Sequence, residues 1–221
     1  MRREVTLEEI SDGKLYDAND MVKADCGGCN GCSRCCHGMG NSIILDPYDV
    51  YRMTTGMGKS MQELLAASVE LNVVDVVILP NLKMQGAEEA CAYLDGEGRC
   101  SIHPYRPGIC RLFPLGRYYE NGGFSYFLQT GECAKENRSK IKVSKWIDTP
   151  DLTRNQQFTL QWHDLLHAME ERLTGEDEGK QREENLLLLR LFYLLPYEGT
   201  IDFYTQFTER MEHWNGQNGQ I

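Results

Sequence analysis

A chain of 221 residues, 41% hydrophobic and 10% aromatic, has enough apolar side chains to pack a core and a length that suits one or two domains. A formal charge of -10 and a pI near 5.0 exclude broad contact with nucleic-acid phosphates, which needs clustered Lys and Arg. The opening MRREVTLEEISDGKL has no apolar stretch of the secretory kind, and the apolar run LLLLRLFYLLP at 186–196 is too short for a bilayer, so a cytoplasmic location is expected, without membrane contact.

The elements follow in chain order. CGGCNGCSRCCH at 26–37 is glycine-rich and irregular. LDPYDVYRM offers Asp46 as N-cap, Pro47 at the first helical position and Asp49 in the first turn; SMQELLAASVEL opens with a capping box, Ser60 and Glu63. Two short helices are therefore expected, with GMGKS at 56–60 as the turn leading into the second. VVDVVILP at 73–80 reads as a short β-branched strand, and LGRYYENGGFSYFLQ as a hairpin turning at Asn121, Gly122 and Gly123. Beyond residue 134 the pattern is helical. DLTRNQQFTLQWHDLLHAMEERLTG sets Phe158, Trp162, Leu165, Met169 and Leu173 on one face and stops at Gly175. The acidic GEDEGKQREE reads as a solvated loop before a second helix, EENLLLLRLFYLLP; a third, IDFYTQFTERMEHW, follows Asp202, and the tail NGQNGQI should fray.

All nine cysteines lie between Cys26 and Cys133, which divides the chain into a Cys-rich module, 1–133, and a helical region, 134–221, packed on it. The expected fold is mainly α, with an irregular Cys-rich metal-binding module and a small β-hairpin. In a reducing cytosol thiols stay free unless a metal or a catalytic cycle claims them, and nine is odd, so disulfides do not account for them. Cys29, Cys32, Cys35 and Cys36 form C-x2-C-x2-C-C, with Cys26 one further C-x2-C step ahead. Two thiolates separated by two residues can wrap a single ion, and the same turn serves iron–sulfur clusters. Gly27, Gly28 and Gly31 let the backbone approach and turn N–H groups towards the sulfurs.

Burial as mere packing accounts for one isolated cysteine but not for five in eleven positions of turn-forming sequence. The adjacent Cys35 and Cys36 project differently, so they either face two centres or grip different irons of one cluster. Setting Cys26 aside leaves eight thiols, enough for one or two four-ligand sites. Arg34, Arg99, Arg106, Arg111 and Arg117 lie near the cysteines in sequence, as partners for thiolate charge or as solvated surface.

CNGCSRCC followed by CAYLDGEGRCSIHPYRPGICRLFP resembles the CxxCxxCC domain of the YkgJ-type cysteine cluster proteins, described as zinc- or iron-chelating. Both halves match in order: C-x2-C-x2-C-C, then C-x-x-L, C-x-I with Arg-Pro, and C-R-x-F-P, over roughly residues 26 to 133. The resemblance implies metal or iron–sulfur binding by Cys29, Cys32, Cys35, Cys36, Cys91, Cys100, Cys110 and Cys133. It implies little about reaction. The flagellin lysine methylases look like a branch of this group in which a four-iron cluster is linked to methyl transfer. This chain has neither a G-x-G-x-x-G loop nor the radical spacing C-x3-C-x2-C.

The resulting expectation is a metal-binding protein with an iron–sulfur centre, [4Fe-4S], in a redox or electron-transfer role. The alternatives are a cluster-dependent group-transfer enzyme and a zinc-stabilised interaction module. The adjacent thiol pair favours the polynuclear centre. A protein partner is expected through the helical C-terminal region. His37 and His103 read as structural side chains or as hydrogen-bond donors to the sulfur ligands, and Tyr105, Arg106 and Pro107 as the turn before Cys110. His163 and His167, one helical turn apart in HDLLH, read as exposed side chains, because the peptidase base, a glutamate after the first His, is replaced by Asp164.

Overall fold

The structure, a computed structural model, describes residues 6–27, 32–135 and 137–218. The N-terminal part holds α1 (Leu7–Ile10), β1 (Ser11–Tyr16), β2 (Met21–Asp25) and a 3-10 turn over Arg34–Cys36. Then come α2 (Pro47–Met57), α3 (Met61–Ala67), β3 (Val69–Val74), β4 (Val77–Leu82), β5 (Met84–Gln85), β6 (Ala90–Cys91), a 3-10 turn over His103–Tyr105 and α4 (Gly108–Leu112). The rest is β7 (Leu115–Glu120), β8 (Gly123–Gln129), β9 (Ser139–Lys142), α5 (Val143–Ile147), α6 (Leu152–Leu173), α7 (Glu178–Leu189), a π-helical turn over Arg190–Leu194 and α8 (Phe203–Asn218). None of these helices is long and apolar enough to cross a membrane.

Among the described residues, eight helices and several small antiparallel sheets make a mixed α/β fold, not the mainly α one expected. The difference lies in short, polar strands whose partners are distant in sequence. β1 (SDGKLY), β2 (MVKAD) and β9 (SKIK) carry no clear apolar alternation, and their pairing supplies what local propensity does not. β1 joins β8 and β7 in one sheet, and β2 pairs with β9 in another.

The chain forms two compact units, each discontinuous. The first comprises residues 1–39, 84–103 and 108–160. Its core is Val22 and Ala24 of β2, Leu112 of α4, Leu115, Tyr126 and Leu128 of the β7–β8 hairpin, and Val143 and Ile147 of α5. The hairpin turns at Asn121 and Gly122, both at positive φ (52° and 71°), the two-residue pattern expected from Asn-Gly. The indole Nε1 of Trp146 donates to the carbonyls of Leu112 (3.3 Å) and Phe113 (3.2 Å), tying α5 to the end of α4.

The second unit comprises residues 40–83, 104–107 and 161–221. Asp46 caps α2, accepting from the Asp49 N–H at 2.8 Å, and Gly58 ends that helix in the left-handed region. The Ser60–Glu63 capping box opens α3 as expected, but α3 stops at Ala67 and Val69 begins β3. VVDVVILP, expected as one strand, spans the end of β3, a turn and most of β4 in a β3–β4 hairpin, with both Asp75 and Val76 at positive φ (48° and 61°). A β-branched residue rarely adopts that conformation, which is why the turn is not evident from sequence.

Asn185 of α7, 3% exposed, holds this turn: its Oδ1 accepts from Ile78 N–H at 2.6 Å and its Nδ2 donates to the Val76 carbonyl at 3.0 Å. Asn185→Ala leaves two main-chain groups without that partner and should cost about 2–3 kcal/mol, read as a lower urea midpoint. An unchanged midpoint would show that the amide does not hold the turn.

The five residues expected on one face of α6, Phe158 to Leu173, are all buried, and Gly175 follows at φ 87°. Trp162 packs edge-on to Phe192 (5.1 Å between ring centroids) and Tyr193 (6.0 Å). Two expectations shift. α7 begins at Glu178, capped by Asp177, so part of the expected acidic loop is helical, and α8 runs to Asn218, so the tail is helical up to that point. Residues 219–221 lie outside the described residues.

Candidate metal centre

All eight described cysteines fall in the first unit, none in a disulfide; Cys29 lies outside the described residues. Three short segments carry the thiols that converge. The 3-10 turn Arg34–Cys36 is closed by the Cys36 N–H donating to the Ser33 carbonyl at 2.8 Å. Next to it, His37 forms an isolated antiparallel bridge with Ala90, and the Gly38 N–H donates to the Glu89 carbonyl at 3.0 Å. His37 Nδ1 also lies 3.3 Å from the Glu88 carbonyl. This main-chain pairing lays Cys36 alongside Cys91, across 54 intervening residues of sequence.

Cys91 ends β6 and starts a tight loop. Leu94 N–H donates to the Cys91 carbonyl at 2.9 Å, Leu94 bridges Cys100, and the Ser101 N–H returns to the Tyr93 carbonyl at 2.8 Å. Asp95 shapes the tip, its Oδ1 accepting from the N–H groups of Glu97 (3.0 Å) and Arg99 (2.8 Å). Cys110 sits on α4, whose Arg111 and Leu112 are buried, Leu112 in the unit's core.

Electrostatics show which thiols share a neighbourhood. Cys36 is pushed far above the ordinary thiol range, first by donating a hydrogen bond to Cys35, then by burial, then by the like charges of Cys35, Cys91 and Cys110. Cys91 is raised by burial and by Cys35, while the Tyr93 N–H, donating to its sulfur, acts the other way. Cys35, Cys36, Cys91 and Cys110 thus form one group drawn from three segments. Thiols arranged this way resist ionising beside one another, and a bound cation removes that penalty.

Among the described residues no three His, Cys, Asp or Glu side chains are set at ligating positions. Tyr93 was not singled out from the sequence; its signal is its place two residues after a cysteine, where a main-chain N–H can reach the sulfur. Arg111, 4% exposed, donates from Nη1 to the Asp148 carbonyl at 3.4 Å, whereas Arg99 stands in solvent 3.8 Å from Glu97. In the second unit Tyr105 lies over Gly56, where an added Cβ would meet its ring at 2.3 Å, and Arg52 donates to the Pro104 carbonyl. The turn before Cys110 is therefore anchored on α2.

Residues 28–127 match the family model CxxCxxCC, described as "putative zinc- or iron-chelating domain". The chain is similar to this family over that segment. The matched segment spans the C-x2-C-x2-C-C motif and Cys91, Cys100 and Cys110, and leaves Cys26 and Cys133 outside. Metal chelation is the property that family is described by, and it agrees with a cysteine cluster as a metal-binding feature. No curated protein and no solved structure matches the chain.

Proposed function

We propose that the CxxCxxCC segment of this protein holds an iron–sulfur cluster, [4Fe-4S], and serves a redox or electron-transfer role. The carrying observation is the group Cys35, Cys36, Cys91 and Cys110, in which an adjacent thiol pair faces thiols from two other segments. The donor set fits such a cluster: four soft sulfurs, one already accepting a main-chain N–H, with buried Arg111 next to Cys110 in the chain. Cys29, Cys32, Cys100 and Cys133, the rest of the proposed ligand set, go beyond the one thiolate per iron that a single cluster takes and would serve a second four-ligand site. When bound, the cluster supplies one-electron chemistry. The protein's own part is to hold the sulfurs, donate the Tyr93 N–H to Cys91 and keep Cys36 and Cys91 partly shielded from water.

Zinc is the second reading, because four thiols are also what a closed structural zinc site needs. Anaerobic purification with elemental analysis and a visible spectrum separates the two. A brown protein with about four irons and four acid-labile sulfides per cluster is expected. Colourless protein with about one zinc per chain would replace the cluster with the zinc reading.

A further inference from the structure

We infer that α6 carries a second cation site, separate in chemistry from the thiols: His163 and His167 chelate one borderline divalent ion, such as Zn2+ or Ni2+, through imidazole nitrogens. The two residues stand at i and i+4 in the middle of a 22-residue helix, so their Cβ atoms share one stripe, and Glu171 continues it at i+8. Both histidines are half-buried, not exposed as the sequence suggests, while the apolar face of the same helix is used by Trp162, Leu165 and Met169. The ring centroids are 6.3 Å apart with planes at 61°.

Two imidazoles sharing an ion at about 2.0–2.1 Å per nitrogen have centroids about 5 Å apart, so the observed pair must close by about an ångström. Side-chain rotation supplies that without moving the helix. Glu171 Oε1 lies 3.6 Å from His167 Nδ1, just beyond hydrogen-bond length, so a small rotation of this exposed side chain would let it orient the ring and leave Nε2 for the metal. The surroundings favour a cation: residues 161–221 hold 12 Asp and Glu against five Lys and Arg. Two ligands from one helix leave the remaining positions to water, so the site binds reversibly and is not a structural one.

The test uses the full chain with its thiol centre loaded, so that added metal reports on nitrogen ligands. Ni2+ is titrated calorimetrically and followed by NMR of the histidine rings, with circular dichroism confirming that each variant is helical. Ni2+ should broaden the His163 and His167 signals before those of the exposed His213. His163→Gln or His167→Gln should each weaken binding at least about tenfold, and Glu171→Gln by up to about tenfold. A His163→Gln/His167→Gln double variant that binds Ni2+ like the parent, or first broadening at His213, overturns the assignment.

Discussion

Cys91→Ser should strip the protein of most of its metal while leaving the chain able to fold its helical unit. Cys91 sits where the group is decided: main-chain pairing lays it beside Cys36, and it receives the Tyr93 N–H. Loss of an outer partner to a metal ligand costs 10–100-fold in affinity, so loss of a direct sulfur should exceed about a hundredfold. Cys36→Ser and Cys110→Ser should behave alike, whereas Cys26→Ser, outside the matched segment, should keep its metal. The measurement is metal content per chain after gel filtration, with thermal melting as a second readout, since bound metal stabilises the folded form by mass action. Full metal content in the Cys91 variant would remove that residue from the centre.

Arg210→Ala should be the most damaging single change in the second unit, at about 3–5 kcal/mol, by analogy with removing one partner of a buried charge pair. The π-helical turn Arg190–Leu194 closes with the Leu195 N–H donating to the Arg190 carbonyl at 2.9 Å, leaving nearby carbonyls to other donors. Arg210, 5% exposed, supplies them: Nη1 donates to Leu191 (2.6 Å) and Leu195 (3.0 Å), Nη2 to Pro196 (2.9 Å). Its guanidinium also stacks on Tyr197, 3.6 Å from the ring centroid. Hydrogen bonds from a charged donor are worth about 1.5–3 kcal/mol each. Arg210→Lys keeps the charge but not the planar fork, so it should recover only part of the loss. Urea unfolding of the three proteins gives the order; an Arg210→Ala midpoint within error of the parent would refute the account.

Legibility in the sequence followed the range of the interactions involved. DPYD, S-x-x-E and Asn-Gly act within four residues, and all three signals correspond to observed elements. The 3.6-residue period of α6 was equally local. β1, β2 and β9 were not legible, because their pairings join residues more than a hundred positions apart, such as Ser11 with Gln129 and Met21 with Lys142. Asp75–Val76 evaded recognition because a buried asparagine from a distant helix holds it.

For the site, spacing identified the sulfurs but not their company. That Cys36 meets Cys91 depends on the His37–Ala90 bridge, which no motif announces. The arginines near the cysteines could not be sorted from sequence, since Arg111 and Arg99 differ only in their burial.

The discontinuity of the first unit bears on how the protein is made. Its opening 39 residues fold with a stretch that ends at residue 160, so the ribosome must deliver most of the chain before that unit can close. At about 5–20 residues per second the early sulfurs wait about 6–25 s for that closure. Cofactor insertion is thereby a late event of biosynthesis, and a truncated or stalled chain would emerge without it.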